Sequence, residues 1–464
     1  MTSTTGRTGS GLTLLAVLTP ALLATVVASD MVNLMLPAIG AQFGASEAEL
    51  AWVVTGFLLV FSIGIPLYGR ISDRVSLRRL FAFALLVYAA GSLVCALAPN
   101  LPVLVLGRIG TGVGAAAIPV LSIIAVTRLL PADRRGTGIG VVSAAAGVGT
   151  AAGPALGGGI GQLFGWPALF WLMLAVALVL LPAAWRVLPD ELPAGARRFD
   201  LLGGILMGLG AGLLLFGITQ VQVAGVTAPS SWGSLAVAVG ALALFGWRTA
   251  RVAQPFVPPA LFANRVFRTS VGVAFLAMVV NLGALVFVPL LLVDVNGLAP
   301  GAGALVMIPA GVGVAVLSPL VGRTADRVGA RPLVLIGLTA MLLFALFLSS
   351  VTGVAPAGVG VLGLSLGFLL VLTPIISAAA SALPPDQVGV GLGILQGAQF
   401  LGAGTGPALF GVLVSAREQS AAAAVNPLYV GHAGAAFSDA FLAMAVVAAF
   451  ALVVAFRMRP ASAS

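Results

Sequence analysis

Apolar stretches of about 20 residues recur from one end of the 464-residue chain to the other, and a stretch of that length crosses the hydrocarbon core of a bilayer as a helix. Inside that core no water can satisfy a backbone amide, so only helices and closed barrels are admitted. A barrel would show short alternating strands, and none are read here. Charged residues make up 8% of the chain, against roughly 25% in a soluble domain. The expected fold class is an all-α polytopic membrane protein.

Fourteen spans can be placed, at about 12–37, 49–69, 80–98, 102–126, 137–164, 167–189, 201–224, 232–250, 269–294, 301–322, 332–353, 356–382, 389–416 and 435–457. The first follows Arg7 and is too long for a signal peptide, so it is expected to remain as an anchor. An even number of spans puts both termini on one side. All 22 basic residues are arginine, and 20 of them fall in the loops or termini on that side. Arg108 lies inside a span and Arg417 on the far side. The positive-inside rule then makes both termini cytoplasmic, in a multi-pass protein of the plasma membrane. The net charge of +9 is thus a matter of topology, and no nucleic acid is expected as a partner. One cysteine, Cys95, and one histidine, His432, leave no metal cluster. Neither a metal nor a cofactor is expected.

The chain repeats itself at an offset of 253. GTAAGPALGG at 149–158 returns as GAGTGPALFG at 402–411, and GRISDRV at 69–75 returns as GRTADRV at 322–328. Over 131–158 against 384–411, twelve of 28 positions agree without a gap. Two motifs at one constant offset imply two six-helix halves in parallel repeat. The halves are expected at 12–189 and 269–457, with 201–250 as two inserted transmembrane helices.

Three motifs resemble those of the major facilitator superfamily, in its fourteen-helix drug:proton antiporter branch. Gly69, Asp73, Arg74, Arg78 and Arg79 match a loop signature of that family, with Ser76 where glycine is usual. Gly322, Asp326 and Arg327 are the second copy. Arg108 to Ala116 matches the fourth-helix pattern. Gly140, Gly149, Gly153, Pro154, Gly157 and Gly158 match the fifth-helix antiporter pattern at every fixed position, and Gly406 and Pro407 repeat Gly153 and Pro154. The stretch 52–64, with Phe199-Asp200 and Gln254-Pro255-Phe256-Val257, is similar to the Gram-positive tetracycline/multidrug efflux type. The resemblance implies the major facilitator fold, a charge latch around Asp73 that holds the outward-open state, and proton-coupled export. Members commonly carry carboxylates where this chain has Thr150 and Ala403, which points to neutral or modestly charged amphipaths as substrates.

Glycines four apart let helices approach closely, and Pro154 removes a backbone bond and kinks its helix. Ordinary small-residue packing is the bland alternative. Asp30 sits in the first span, where an ionised carboxylate costs several kcal/mol unless it is paired or protonated. It is the candidate proton carrier, with Arg108 as its electrostatic partner; a structural ion pair is the alternative. Asp294 ends the ninth span, either solvated or a second proton site. Asn33, Asn281, Gln396 and Gln399 are candidates to line a cavity, although buried amides also bond across helices.

The function expected is a drug:proton antiporter exporting amphipathic small molecules or antibiotics by alternating access. Its partners are the small-molecule substrate, protons and the lipid bilayer, and it is expected to be a monomer. A dedicated exporter of one secondary metabolite and a monovalent cation/proton exchanger remain open. An integral membrane enzyme is a distant alternative, lacking a nucleophile or metal cluster. A reporter fused after Arg459 should be cytoplasmic and one in the 417–434 loop outside. A cytoplasmic signal from that loop would break the fourteen-span count.

Overall fold

The computed structural model describes residues 5–32, 35–45, 47–191, 200–225, 228–298, 303, 305–420, 423–429 and 434–458. Among them there are helices and no strand. Fourteen long helices match the fourteen spans one for one: α1 Thr5–Met31, α2 Glu47–Ile71, α3 Leu77–Ala96, α4 Leu101–Leu129, α5 Arg135–Phe164, α6 Pro167–Val187, α7 Leu201–Ala224, α8 Pro229–Arg251, α9 Arg265–Asp294, α10 Ile308–Val328, α11 Ala330–Ser350, α12 Val354–Ser381, α13 Val388–Ser420 and α14 Ala435–Ala455. By length and composition, 11 segments among the described residues can cross a membrane, and shorter apolar segments lie in α1 and α7.

Capping residues set many of the boundaries. Ser76, Asn100, Asp200 and Asn264 each accept a hydrogen bond from an amide in the first turn of α3, α4, α7 and α9, which satisfies donors a helix start leaves open. Two of the boundaries that differ from the sequence reading have a local cause. The first span was expected to run to residue 37, but α1 stops at Met31 and a separate short helix, Leu36–Phe43, begins with proline in its first turn. The tenth span was expected to end at 322, but α10 continues to Val328. The cause is the residue 253 positions apart in the repeat. Gly329 closes α10 at a φ of 80°, a left-handed conformation that glycine adopts without a Cβ penalty. Its counterpart is Ser76, at a φ of −59°, which instead caps α3. The first copy of the GR-x-x-DRV motif therefore ends in a loop, and the second stays helical.

The helix pairings repeat with the sequence. α1 packs on α5, α2 on α4, and α3 on α4 and α6; correspondingly α9 packs on α13, α10 on α12, and α11 on α12 and α14. Two seams join the six-helix bundles, α2 on α13 and α5 on α10. The inserted α7 and α8 pack on each other, and α7 also lies against α2 and α13. A Cβ at Gly208 of α7 would come within 2.6 Å of the Ile63 side chain on α2, so the insertion is keyed closely to the first half. An ion pair of 2.8 Å from Arg248 to Asp200 closes the hairpin.

The repeated glycines sit at the helix crossings. Within the first half, a Cβ at Gly149 would meet Val26 of α1 at 2.8 Å; within the second, one at Gly402 would meet the Phe275 carbonyl of α9 at 2.5 Å. At Gly406 it would meet the Val279 carbonyl. Gly153 and Pro154 fall in α5, but their surroundings lie outside the described residues. Pro407 is accommodated inside the continuous α13. At Gly397, on the same helix, a Cβ would meet nothing within 4 Å. Gly402→Ala should therefore destabilise the protein by about 1–3 kcal/mol through overpacking, whereas Gly397→Ala should be neutral or gain a few tenths through helix propensity, about 0.5–1 kcal/mol at most. Thermal unfolding in detergent measures the difference, and equal midpoints for the two variants would contradict the close α9–α13 crossing.

Candidate functional site

At the arginine-rich end of the bundle both seams are closed by a carboxylate from one half on a helix start of the other. The first-turn amides of any helix have no partner in that helix and carry partial positive charge. Asp73, just beyond α2, accepts from the backbone N–H of Gly389 at 3.0 Å and of Val390 at 3.1 Å, both in the first turn of α13. Asp326, on α10, accepts from Gly136 N–H at 2.7 Å and Thr137 N–H at 2.9 Å in the first turn of α5. Gly136 and Thr137 are the repeat counterparts of Gly389 and Val390. The two latches are one device used twice.

Glycine makes the approach feasible. A Cβ at Gly69 would meet the Gly389 carbonyl at 2.5 Å and the Gly393 Cα at 3.0 Å, and one at Gly136 would meet the Gly322 carbonyl at 2.6 Å. Gly140 abuts Ser318, whose hydroxyl donates to the Gly140 carbonyl at 2.7 Å. The Gly69 and Gly322 of the two motif copies are thus contact points between the halves.

The latches differ in their third partner. Arg128 of α4 donates to Asp73 at 2.6 Å and to the Ser72 carbonyl at 2.7 Å, and Arg70 lies 3.7 Å from the carboxylate. The repeat has Ser381 where Arg128 stands, and Asp326 takes a 3.0 Å bond from the Thr137 hydroxyl instead. Arg128 was counted in the sequence only towards topology; its spacing to the Asp73 motif carries no signal. Arg78 donates to the Leu188 carbonyl at 2.7 Å, so it anchors α3 to the end of α6 within one half. Arg74 is partly buried beside the first latch, and Arg327 is exposed in the last turn of α10.

Among the described residues Arg108 is the largest fully buried side chain, at 1% exposure. Its Nε donates to the Val53 carbonyl of α2 at 3.1 Å, and its guanidinium lies 4.3 Å from the centroid of the Phe57 ring. Gly112 permits this, because α4 there touches the backbone of Phe57. Its Nη1 has no hydrogen-bond partner, and among the described residues no carboxylate pairs with it. The Asp30 side chain and Asn33 lie outside the described residues.

Gln396 and Gln399 are buried on α13, on the strip between Gly393, which abuts α2, and Gly402, which abuts α9. The Nε2 of each lacks a partner, as does Oδ1 of the buried Asn281 on α9. No hydrogen bond joins the three amides. Asp294 is exposed at the end of α9. At that same arginine-poor end the sequence reading missed Asp439, which is buried on α14, paired with Arg417 at 2.5 Å and bonded by the Val425 N–H at 2.7 Å. An acid inside an apolar run was the available signal, because such a group needs a partner.

A model of the Major Facilitator Superfamily matches residues 18–407 and 271–464. The chain is 30% identical over 391 residues to multidrug resistance protein Stp of Mycobacterium tuberculosis, covering 83% of this chain and 72% of that protein. It is 31% identical over 389 residues to the multidrug resistance protein B homolog of the same organism, covering 81% and 71%. Among solved structures, that of the human organic anion transporter MFSD10 (TETRAN) superposes with a TM-score of 0.70 at 17% identity, over 96% of this chain and 99% of the other.

The first latch has a pH dependence of definite sign. Burial raises the Asp73 carboxyl from its ordinary 3.8 to about 6, although Arg128, the Val390 N–H, Arg70 and the Gly389 N–H each pull it down. The closed latch then binds a proton more tightly than a released, solvated Asp73 does. The closed arrangement gains from protonation fully below the ordinary value, and the gain is lost as pH rises through about 6. Probes at the exposed positions Asp133 and Pro385, one on each half, can report this in detergent through Asp133→Cys and Pro385→Cys. Lowering pH from 7.5 to 5.5 should enrich the closed distance by several-fold, and Asp73→Asn should flatten the response. Enrichment of the open distance on acidification would reverse the assignment.

Proposed function

The chain belongs to the major facilitator superfamily, a family of transporters, and on that footing we propose that it is a proton-coupled exporter of amphipathic small molecules that works by alternating access. The names of the two mycobacterial relatives support drug efflux. The observation that carries the coupling is Arg108. A guanidinium buried in a membrane-spanning helix, with one donor unpartnered and no described carboxylate beside it, is an unfinished electrostatic arrangement. Asp30, on α1 in the same half, would complete it when ionised and release it when protonated.

In this scheme the halves at 12–189 and 269–457 rock about the seams. The arginine-rich end faces the cytoplasm of the cell, with both termini, and the two latches hold that end closed while the other is open. Asp30 takes a proton from outside. Opening of the latches exposes the site inward, the proton leaves, and substrate loads. Sharing of one site makes proton and substrate exclude each other, which is antiport. Asn33, Asn281, Gln396 and Gln399 supply hydrogen bonds along the cavity. Asp294 is assigned a second proton site only if Asp30 proves structural. The transporter acts as a monomer.

Inverted vesicles carrying the wild type should release protons on addition of substrate, and Asp30→Asn should abolish that release together with uphill efflux, because an amide mimics the protonated acid and cannot cycle. Asp30→Glu should keep part of the activity with a shifted pH profile. Substrate-dependent proton flux in the Asn variant at the wild-type level would reject Asp30 as the carrier.

A further inference from the structure

One stripe of α2 connects the buried charge to the seam between the halves. The Val53 carbonyl accepts from Arg108, and Phe57, one turn on, lies under the same guanidinium. The Phe57 ring stacks on Phe61 with centroids 5.5 Å apart and planes at 21°. Phe61 meets Phe400 of α13 edge-on, at 5.0 Å and 78°. Further along, the backbone of Ile65 and Gly69 abuts Gly393 and Gly389, and Asp73 ends the column on the α13 amides. Residues three and four apart share a helix face, so the run is continuous from a charge in one half to a contact on the other.

We propose that Phe57, Phe61 and Phe400 are positioning residues that tie the state of Arg108 to closure of the α2–α13 seam. A cation over a ring face fixes that ring. The fixed Phe57 sets the stack of Phe61, and Phe61 and Phe400 meet edge to face. A guanidinium drawn away by a carboxylate or a bound ligand frees Phe57, and the aromatic contact across the seam loosens with it. The inference rests on the reading of Arg108 as part of the coupling site, but it concerns a different link and is tested without protons or substrate.

The test uses the full-length protein in detergent at fixed pH, labelled through Asp133→Cys and Pro385→Cys, and reads the ratio of closed to open distances. Phe400→Leu should lower that ratio about threefold to tenfold, the worth of one aromatic contact. In an Arg108→Gln background the same substitution should lower it by less than about twofold, although the two side chains are separated by two rings and independent sites normally add. Phe400→Tyr keeps an aromatic edge and should restore the wild-type ratio. Equal drops in the two backgrounds, or a wild-type ratio for Phe400→Leu, would overturn the proposal. If Arg108→Gln does not fold, Phe57→Leu replaces it in the cycle with the same two outcomes. Non-additivity here alongside normal proton flux in Asp30→Asn removes the proton reading and leaves the ladder standing; additivity with abolished flux does the reverse.

Discussion

The closed end of this bundle depends on two carboxylates that serve as caps for helices in the opposite half. A helix start offers amide donors that nothing inside the helix can satisfy, and in most proteins a local serine, threonine, asparagine or aspartate takes them. The residue before α5 is Arg134, which makes no side-chain cap bond, and α13 follows directly on a short 3-10 turn, Pro385–Gln387. Their first-turn amides are left to Asp326 and Asp73 from across the seams. Capping and inter-half docking are therefore the same hydrogen bonds. Separating the halves uncaps two helices at once.

That arrangement is balanced rather than tight. Hydrogen bonds to a charged group are worth about 1.5–3 kcal/mol each. Against them stands the desolvation of the buried carboxylate, which outweighs these donors and leaves the Asp73 carboxyl raised to about 6. The hydrogen bonds that close the seam are therefore opposed by the cost of burying the charge that accepts them. A two-state element can be moved only by a ligand whose differential affinity matches the gap, about 5.5 kcal/mol for a swing from 1:99 to 99:1. A latch of many strong bonds would be beyond the reach of one proton or one substrate. Glycine shapes the same contact: Gly69, Gly136, Gly322 and Gly389 let backbones touch without interlocking side chains.

Much of this was legible in the residues. The offset of 253 foretold the paired helix contacts, and the GR-x-x-DRV copies located both carboxylates. Ser76, noted as a departure from glycine, proved to be the reason one copy ends in a loop while Gly329 lets the other remain helical. What the sequence could not convey was orientation between distant elements. A charge latch around Asp73 was expected, but that its partners are the start of α13 in the other half and Arg128 is a fact of packing between residues more than 50 apart. Asp439 and Arg417 lie 22 residues apart on different helices, so their pairing too is a fact of packing.

The repeat also shows where duplication ended and specialisation began. The backbone donors of the two latches are repeat-related, but the third partner is Arg128 in one and the Thr137 hydroxyl in the other. A cation can neutralise Asp73 as it is buried; a hydroxyl can only share its bonds with Asp326. The same division appears in the middle of the bundle, where the first half carries Arg108 and the second, at position 361, carries Val361, fully buried. In that middle layer the first half carries the full charge, and the second presents amides, at Gln396, Gln399 and Asn281. Two halves with one fold thus hold unequal electrostatics.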